Sequence, residues 1–217
     1  TAIAHAVSLL RESKSQVEGK QVIGVNAEWE TAISVRQKVA TIQIAPLHGT
    51  PFLFHLQRGP SGFTKETFPA PLKDLLADPN IIKTGVAIKT DATHIFSDYG
   101  FEVVNTVDLR SLAKSNLVAF SSRSLADITA CLLGKHLPKD TVRFSRWASF
   151  PLSDAQRDNA CMDAYVSVLL YETILDFKDP IASAAPATED LVPGLMVRLC
   201  NSSHSSCLAI GELVSDS

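Results

Sequence analysis

The 217-residue chain has no long hydrophobic run, no basic excess, no paired-cysteine motif and no glycine-rich phosphate loop. Each absence removes a class of function. No apolar stretch approaches the ~20 residues that span a bilayer, so no membrane partner is expected. Thr1 to Leu10 lacks the basic start and small-residue cleavage pattern of a secretory signal. The chain begins at Thr1 and not at Met, as expected of a fragment or processed form from which a targeting segment is missing. Its net charge of −3 argues against a high-affinity, sequence-independent nucleic-acid binder, which carries a basic footprint. It leaves room for an enzyme that holds one strand end at an acidic site, where divalent cations reverse the local sign. Without a glycine-rich loop, nucleoside-triphosphate chemistry is disfavoured. The histidines (His5, His48, His55, His94, His136 and His204) form no HxxxH or HExxH spacing and read as structural or exposed.

Cysteine is scarce as well. Cys131 and Cys161 sit in apolar helical patterns, where a free thiol behaves as a small hydrophobe. Cys200 and Cys207 flank a polar loop and are placed to face each other across a hairpin. With no CxxC pair, zinc is not expected. The usage fits an intracellular, reducing context, with the nucleus among the compartments expected.

What is present is globular: 46% apolar and 20% charged residues, in a length that supports one well-buried core plus a short appendage. Ile3, Ala6, Val7 and Leu10 share one face of an opening helix. Three β-rich runs follow, Val22 to Trp29, Val39 to Ala45 and Phe52 to Leu56, spaced as an antiparallel meander. Leu72, Leu75 and Leu76 mark a helix ending before Pro79, and Ile81 to Ile88 reads as a buried strand. Ala92 to Tyr99 predicts a helix stopped by Gly100. Val103 to Leu109 predicts a short strand leading into a helix around Leu112. Ser124 caps a helix to Leu133 that Gly134 stops, and Ser153 caps the last and strongest helix. Strands followed by strands interleaved with helices imply an α/β fold with helices packed on a mixed sheet. Asp179 to Asp190 reads as a linker, and Leu195 to Leu199 with Leu208 to Leu213 as a hairpin around Asn201 to Ser206. The expected organisation is a domain over residues 1–178, a linker over 179–190 and a β-hairpin within 191–217, the start of a further domain.

Acidic residues interrupt apolar elements at three places. Glu28 ends the run Val22-Ile23-Gly24-Val25-Asn26-Ala27-Glu28-Trp29, and period-two alternation puts Asn26 on its face. Asp91 follows Thr84-Gly85-Val86-Ala87-Ile88-Lys89-Thr90 and opens a helix. Asp163 lies in the last helix, four residues after Asn159 and on the same face. Taken singly, each has an ordinary reading: a solvated acid at a strand end, a helix N-cap, a solvent-facing helical acid. Together they suit two-ion phosphodiester hydrolysis, which needs carboxylates converging on ions ~3.5–4 Å apart.

The motifs carrying these acids resemble those of the DEDD 3′→5′ exonucleases. Asn26-Ala27-Glu28-Trp29 with Val39-Ala40-Thr41-Ile42-Gln43-Ile44 looks like the first motif region, and Gly85-Val86-Ala87-Ile88-Lys89-Thr90-Asp91 like the second. Leu133-Gly134-Lys135, Trp147, Pro151-Leu152-Ser153, Gln156 and Ala160-Cys161-Met162-Asp163-Ala164-Tyr165 look like the third. The order and spacing are similar to the branch of Werner-syndrome-protein and RNase D-like enzymes, over residues 1 to 178. The resemblance implies an RNase H-like mixed sheet flanked by helices and removal of nucleotides from a nucleic-acid 3′ end, DNA or RNA. It also implies two Mg²⁺ or Mn²⁺ ions, with metal ligands Glu28, Asp91 and Asp163 and catalytic positions Asn26, Glu28, Asp91, Asn159 and Asp163.

Two of those positions depart from the family pattern. The first motif is Asp-x-Glu in the family, and Asn26 stands at its Asp. An amide lacks full charge and presents N–H donors on one side, so it cannot bridge two cations through two oxygens. One unit charge pair at 4 Å is worth ~4 kcal/mol at an effective dielectric of ~20, so metal binding is expected to weaken. Asn159 stands where this branch has Tyr, and Asp158 where another branch has His. Asn159 is no base at neutral pH, and a lost general base costs ~10²–10⁴-fold. Asn26 is open to three accounts: an engineered substrate trap, natural decay to a module that binds nucleic acid or a protein without cutting, or weak Mn²⁺-favoured activity. The second change, at Asn159, tilts towards natural decay. Trp29 is expected in the core beside the site, with base stacking the other use of its ring, and Trp147 in the core. Lys135, Lys139, Arg143 and Arg146 form a basic stretch that either contacts phosphates or is a solvated loop.

Overall fold

A computed structural model describes residues 1–32, 35–57, 62–115, 124–138, 141–176, 196–200 and 207–212. The opening helix α1 (Ala2–Leu10) starts where the Thr1 hydroxyl accepts from the Ala4 N–H. Strand β1 (Gln21–Glu28) follows, then a small hairpin of β2 (Thr31–Ala32) and β3 (Val35–Arg36). That hairpin has no apolar alternation to announce it. Strands β4 (Thr41–Pro46) and β5 (Phe52–His55) complete the expected meander. Helix α2 (Ala70–Leu76), strand β6 (Ile81–Gly85), helix α3 (Ile88–Tyr99), strand β7 (Thr106–Asp108) and helix α4 (Leu109–Ser115) come next. Helix α5 (Leu125–Leu133), a short 3-10 turn (Thr141–Phe144), helix α6 (Asp154–Asp176) and the pair β8 (Met196–Cys200) and β9 (Cys207–Glu212) complete the described elements.

Five strands form one sheet in the order β5-β4-β1-β6-β7. Strand β1 is its axis, antiparallel to β4 and parallel to β6, so the sheet is mixed as expected. Side chains alternate across a strand, and β1 uses both faces. Ile23, Val25 and Ala27 pack in a core with Leu10 of α1, Leu72 and Leu75 of α2 and Ile95 of α3. On the opposite face Val22 joins Leu109, Ile128, Ala164 and Val168 from α4, α5 and α6. Each fully buried aliphatic side chain contributes roughly 1.5–3 kcal/mol relative to exposure. The central strand therefore has little freedom to shift register.

The strand expected over Ile81 to Ile88 is shorter, and the helix after it longer. β6 stops at Gly85, Ala87 takes a left-handed backbone (φ 58°), and α3 begins at Ile88. An apolar run does not by itself distinguish buried strand from buried helix start. Here Asp108 of β7 decides: its carboxylate accepts from the Ala87 N–H at 3.0 Å. Gly85 permits the turn, because a β-carbon there would approach the Val25 carbonyl oxygen to 2.8 Å. The caps on the later helices form as expected. Ser124 accepts from Asp127 N, and Gly134 ends α5 at φ 60°. Ser153 and Gln156 exchange hydrogen bonds of 3.2 and 3.0 Å in a capping box. The expected linker, residues 179–190, lies outside the described residues. The hairpin is present as antiparallel β8 and β9, and it pairs with no other strand among the described residues.

Candidate active site

Three elements converge at the carboxyl end of β1. Glu28 is the last residue of that strand, Asp91 lies in the first turn of α3, and Asp163 sits in α6. The approach of α6 is set by Gly24, on the same face as Asn26 and Glu28. A β-carbon at residue 24 would overlap the Ala164 carbonyl oxygen and stand 3.0 Å from the Val168 nitrogen. Helix and strand backbones thus touch directly, one residue from Asp163. Asp91 is not a helix cap, because Ala87 holds that position. It is buried, with only 9% of its surface exposed.

Burial dominates the electrostatics. The Glu28 carboxyl is pushed up to about 7, chiefly by burial and further by the charge of Asp163, against the lowering effect of a hydrogen bond from Asn26. Burial raises Asp163 to about 6. Asp91 stands well above the usual carboxylate range through burial and then the charge of Glu28. The charge of Glu28 is thus felt at Asp91 and that of Asp163 at Glu28, as three neighbouring carboxyls require.

Asn26 is engaged on the same face. Its amide nitrogen donates to Glu28 Oε1 at 3.2 Å and to Gln43 Oε1 at 3.1 Å. Gln43 is fully buried on β4, directly opposite Asn26, and donates in turn to Thr41 Oγ1 at 2.7 Å. Gln43 belongs to the first motif region, and the sequence by itself does not place it in the site. Its signal is a lone amide in the mostly apolar run Val39 to Ala45, and only the register shows that it faces Asn26. Asn159 is half-buried one turn before Asp163, while Asp158 is exposed. Trp29 packs against the core and meets the His94 ring edge-on at 4.3 Å, and Trp147 is fully buried. Lys135 and Arg146 are exposed; Lys139 and the Arg143 side chain lie outside the described set.

Residues 2–176 match the family described as 3′–5′ exonuclease. The chain belongs to that family. The 3′–5′ exonuclease relatives include the mouse bifunctional 3′–5′ exonuclease/ATP-dependent helicase WRN, 31% identical over 73% of this chain and 11% of that protein. An Arabidopsis thaliana 3′–5′ exonuclease is 29% identical over 80% of this chain and 59% of that protein. The chain therefore spans between about a tenth and three fifths of the length of these relatives. Among solved structures, Escherichia coli RNase D superposes with a TM-score of 0.61 at 21% identity, over 80% of this chain and 42% of that one. The likeness is one of fold, and the mixed sheet of this exonuclease domain is RNase H-like.

The family generally uses divalent metals. The donor chemistry here fits a hard cation: three oxygen-bearing side chains, each raised by burial, would be relieved by one. Among the described residues no three His, Cys, Asp or Glu side chains gather tightly enough to hold an ion by themselves. Mg²⁺ commonly takes one or two carboxylates and completes its shell with water and substrate phosphate, so a substrate-assisted site suits this arrangement.

Proposed function

We propose that this domain, over residues 1–178, holds the 3′ end of a DNA or RNA strand at Glu28, Asp91 and Asp163 for two-metal phosphodiester hydrolysis, with turnover curtailed by Asn26 and Asn159. The supporting observation is the meeting of one buried acid, Asp91, and two half-buried ones, Glu28 and Asp163, from three separate elements at the end of the central strand. When bound, Mg²⁺ or Mn²⁺ supplies Lewis-acid stabilisation of charge developing on the phosphodiester. Glu28, Asp91 and Asp163 would hold the ions, and Asn26 fixes the Glu28 carboxylate through its N–H. Asn159, one turn from Asp163, can orient a water by hydrogen bonding but cannot take its proton. The separate hairpin within 191–217 is an appendage to this unit in the same reading, reached through the linker 179–190.

The test is degradation of 5′-labelled DNA and RNA oligonucleotides with Mg²⁺ or Mn²⁺, comparing the chain with Asn26→Asp. Stepwise shortening from the 3′ end, stronger in the variant, is the expected result. Intact substrate in both would sink the proposal of hydrolysis. A second reading is a non-catalytic module that binds nucleic acid or a protein. It is favoured by the Asn26 amide, which donates to both Glu28 and Gln43. That reading expects metal-independent binding of single strands, unchanged by Glu28→Ala.

A further inference from the structure

The hairpin of β8 and β9 is a two-stranded sheet joined to no other strand among the described residues. A two-stranded pair is marginal in water by itself, and among the described elements β9 also meets α5. The backbone register supplies a further means of securing it. Five pairs run from Met196 opposite Glu212 to Cys200 opposite Cys207, so the two cysteines close the ladder at its loop end. A register shift between Leu199 and Cys200 brings them opposite each other. Without it, the preceding spacing would pair Cys200 with Leu208.

Directly opposed residues of an antiparallel ladder have Cα atoms roughly 4.5–5.5 Å apart. Disulfides need Cα separations of roughly 4.4–6.8 Å, a range that directly opposed positions of a ladder share. Cys131 and Cys161 lie in α5 and α6 as free thiols, and burial raises both, which suppresses their reactive thiolates.

We infer that Cys200 and Cys207 form a reversible cross-strand disulfide that staples the β8–β9 hairpin, made by exchange with a small disulfide such as oxidised glutathione. In the first step one cysteine thiolate attacks a sulfur of oxidised glutathione. An S–S bond to glutathione forms as one glutathione thiolate leaves. The second cysteine then attacks the protein-bound sulfur, closing the Cys200–Cys207 bond and expelling the second glutathione. The two thiol protons pass to the departing glutathione thiolates. Two electrons have moved from the cysteine pair to oxidised glutathione, which ends as two reduced molecules.

The experiment equilibrates the full chain in glutathione buffers from fully reduced to mostly oxidised, quenches it in acid, alkylates free thiols and digests with trypsin. Cleavage after Arg198 leaves both cysteines on one peptide, because no Lys or Arg follows through Ser217. The expected product is that peptide lighter by two hydrogens and unalkylated, with Cys131 and Cys161 alkylated. Amide exchange in β8 and β9 should slow by on the order of 10-fold in the oxidised form. Cys200→Ser should abolish the two-hydrogen loss and leave glutathione attached to Cys207. Reduced thiols at every buffer ratio would overturn the inference. So would stable glutathione on both cysteines, a bond to Cys131 or Cys161, or a bond between two chains. A two-hydrogen loss that survives Cys200→Ser would overturn it too. None of these readouts depends on nuclease activity, so the proposed function stands or falls separately.

Discussion

The raised Glu28 carboxyl makes the domain's stability depend on pH in a calculable direction. Its ordinary value is 4.5, and in the folded protein it is about 7. Below pH 4.5 the group is protonated whether the chain is folded or not, and it costs nothing. Between the two values the unfolded chain releases the proton while the folded chain keeps it, so stability falls as pH rises. Above about 7 the full cost is present. At 1.36 kcal/mol per pH unit it amounts to about 3 kcal/mol. The informative comparison is with Glu28→Gln, which removes the titration and keeps an oxygen for the Asn26 N–H. Asp163, raised to about 6, titrates in both proteins and largely cancels. Urea unfolding in a chelator from pH 4 to 8 should show two curves diverging as pH rises, the variant becoming relatively more stable. For a urea slope of ~2 kcal/mol/M the midpoint difference grows by about 1.5 M. Mn²⁺ at pH 8 should recover the native protein by ~2.7 kcal/mol at a hundredfold excess over its dissociation constant, and Glu28→Gln by much less. Parallel curves within ~0.5 kcal/mol in the chelator would refute the idea that burial holds Glu28 protonated.

Gly24→Ala forces α6 off β1, because the new methyl overlaps the Ala164 carbonyl. We expect a loss of about 1–3 kcal/mol by urea unfolding, together with weaker Mn²⁺ binding by calorimetry. Asp108→Ala removes the acceptor of the Ala87 N–H and the carboxylate paired with Arg110 at 2.6 Å. It should cost about 2 kcal/mol and speed amide exchange at the start of α3. Tyr99→Phe deletes a hydroxyl that donates to the Val39 carbonyl at 2.6 Å and accepts from Gln57 at 3.0 Å. A loss of about 1–2 kcal/mol in denaturant midpoint checks it, and an unchanged midpoint would count against that bond.

The three acids were legible because each breaks an apolar element at a place that periodicity locates. The meander was legible because three short β-rich runs are separated by brief polar or Pro/Gly-containing segments, and the helix ends because Ser124, Ser153, Gly100 and Gly134 act through local chemistry. What escaped depends on partners far along the chain. The end of β6 is decided by Asp108, twenty-one residues after the amide it holds. Gln43 became part of the site only through a register that one strand cannot reveal. Gly24 reads in sequence as a weak spot in a strand, and its use appears only once α6 is laid across it. The identities at 26 and 159 were visible from the start. The consequence proposed for turnover is chemical, and no folding pattern encodes it.

The contact between Gly24 and the α6 backbone bears on how such a domain can change over generations. A spacing set by main chain against main chain is indifferent to which side chains sit beside it. Residues 26 and 159 can therefore exchange acid, amide or phenol while Glu28, Asp91 and Asp163 keep their places. On the proposed reading, a lineage changes its chemistry at these two positions with the scaffold unaltered, provided position 24 remains a glycine.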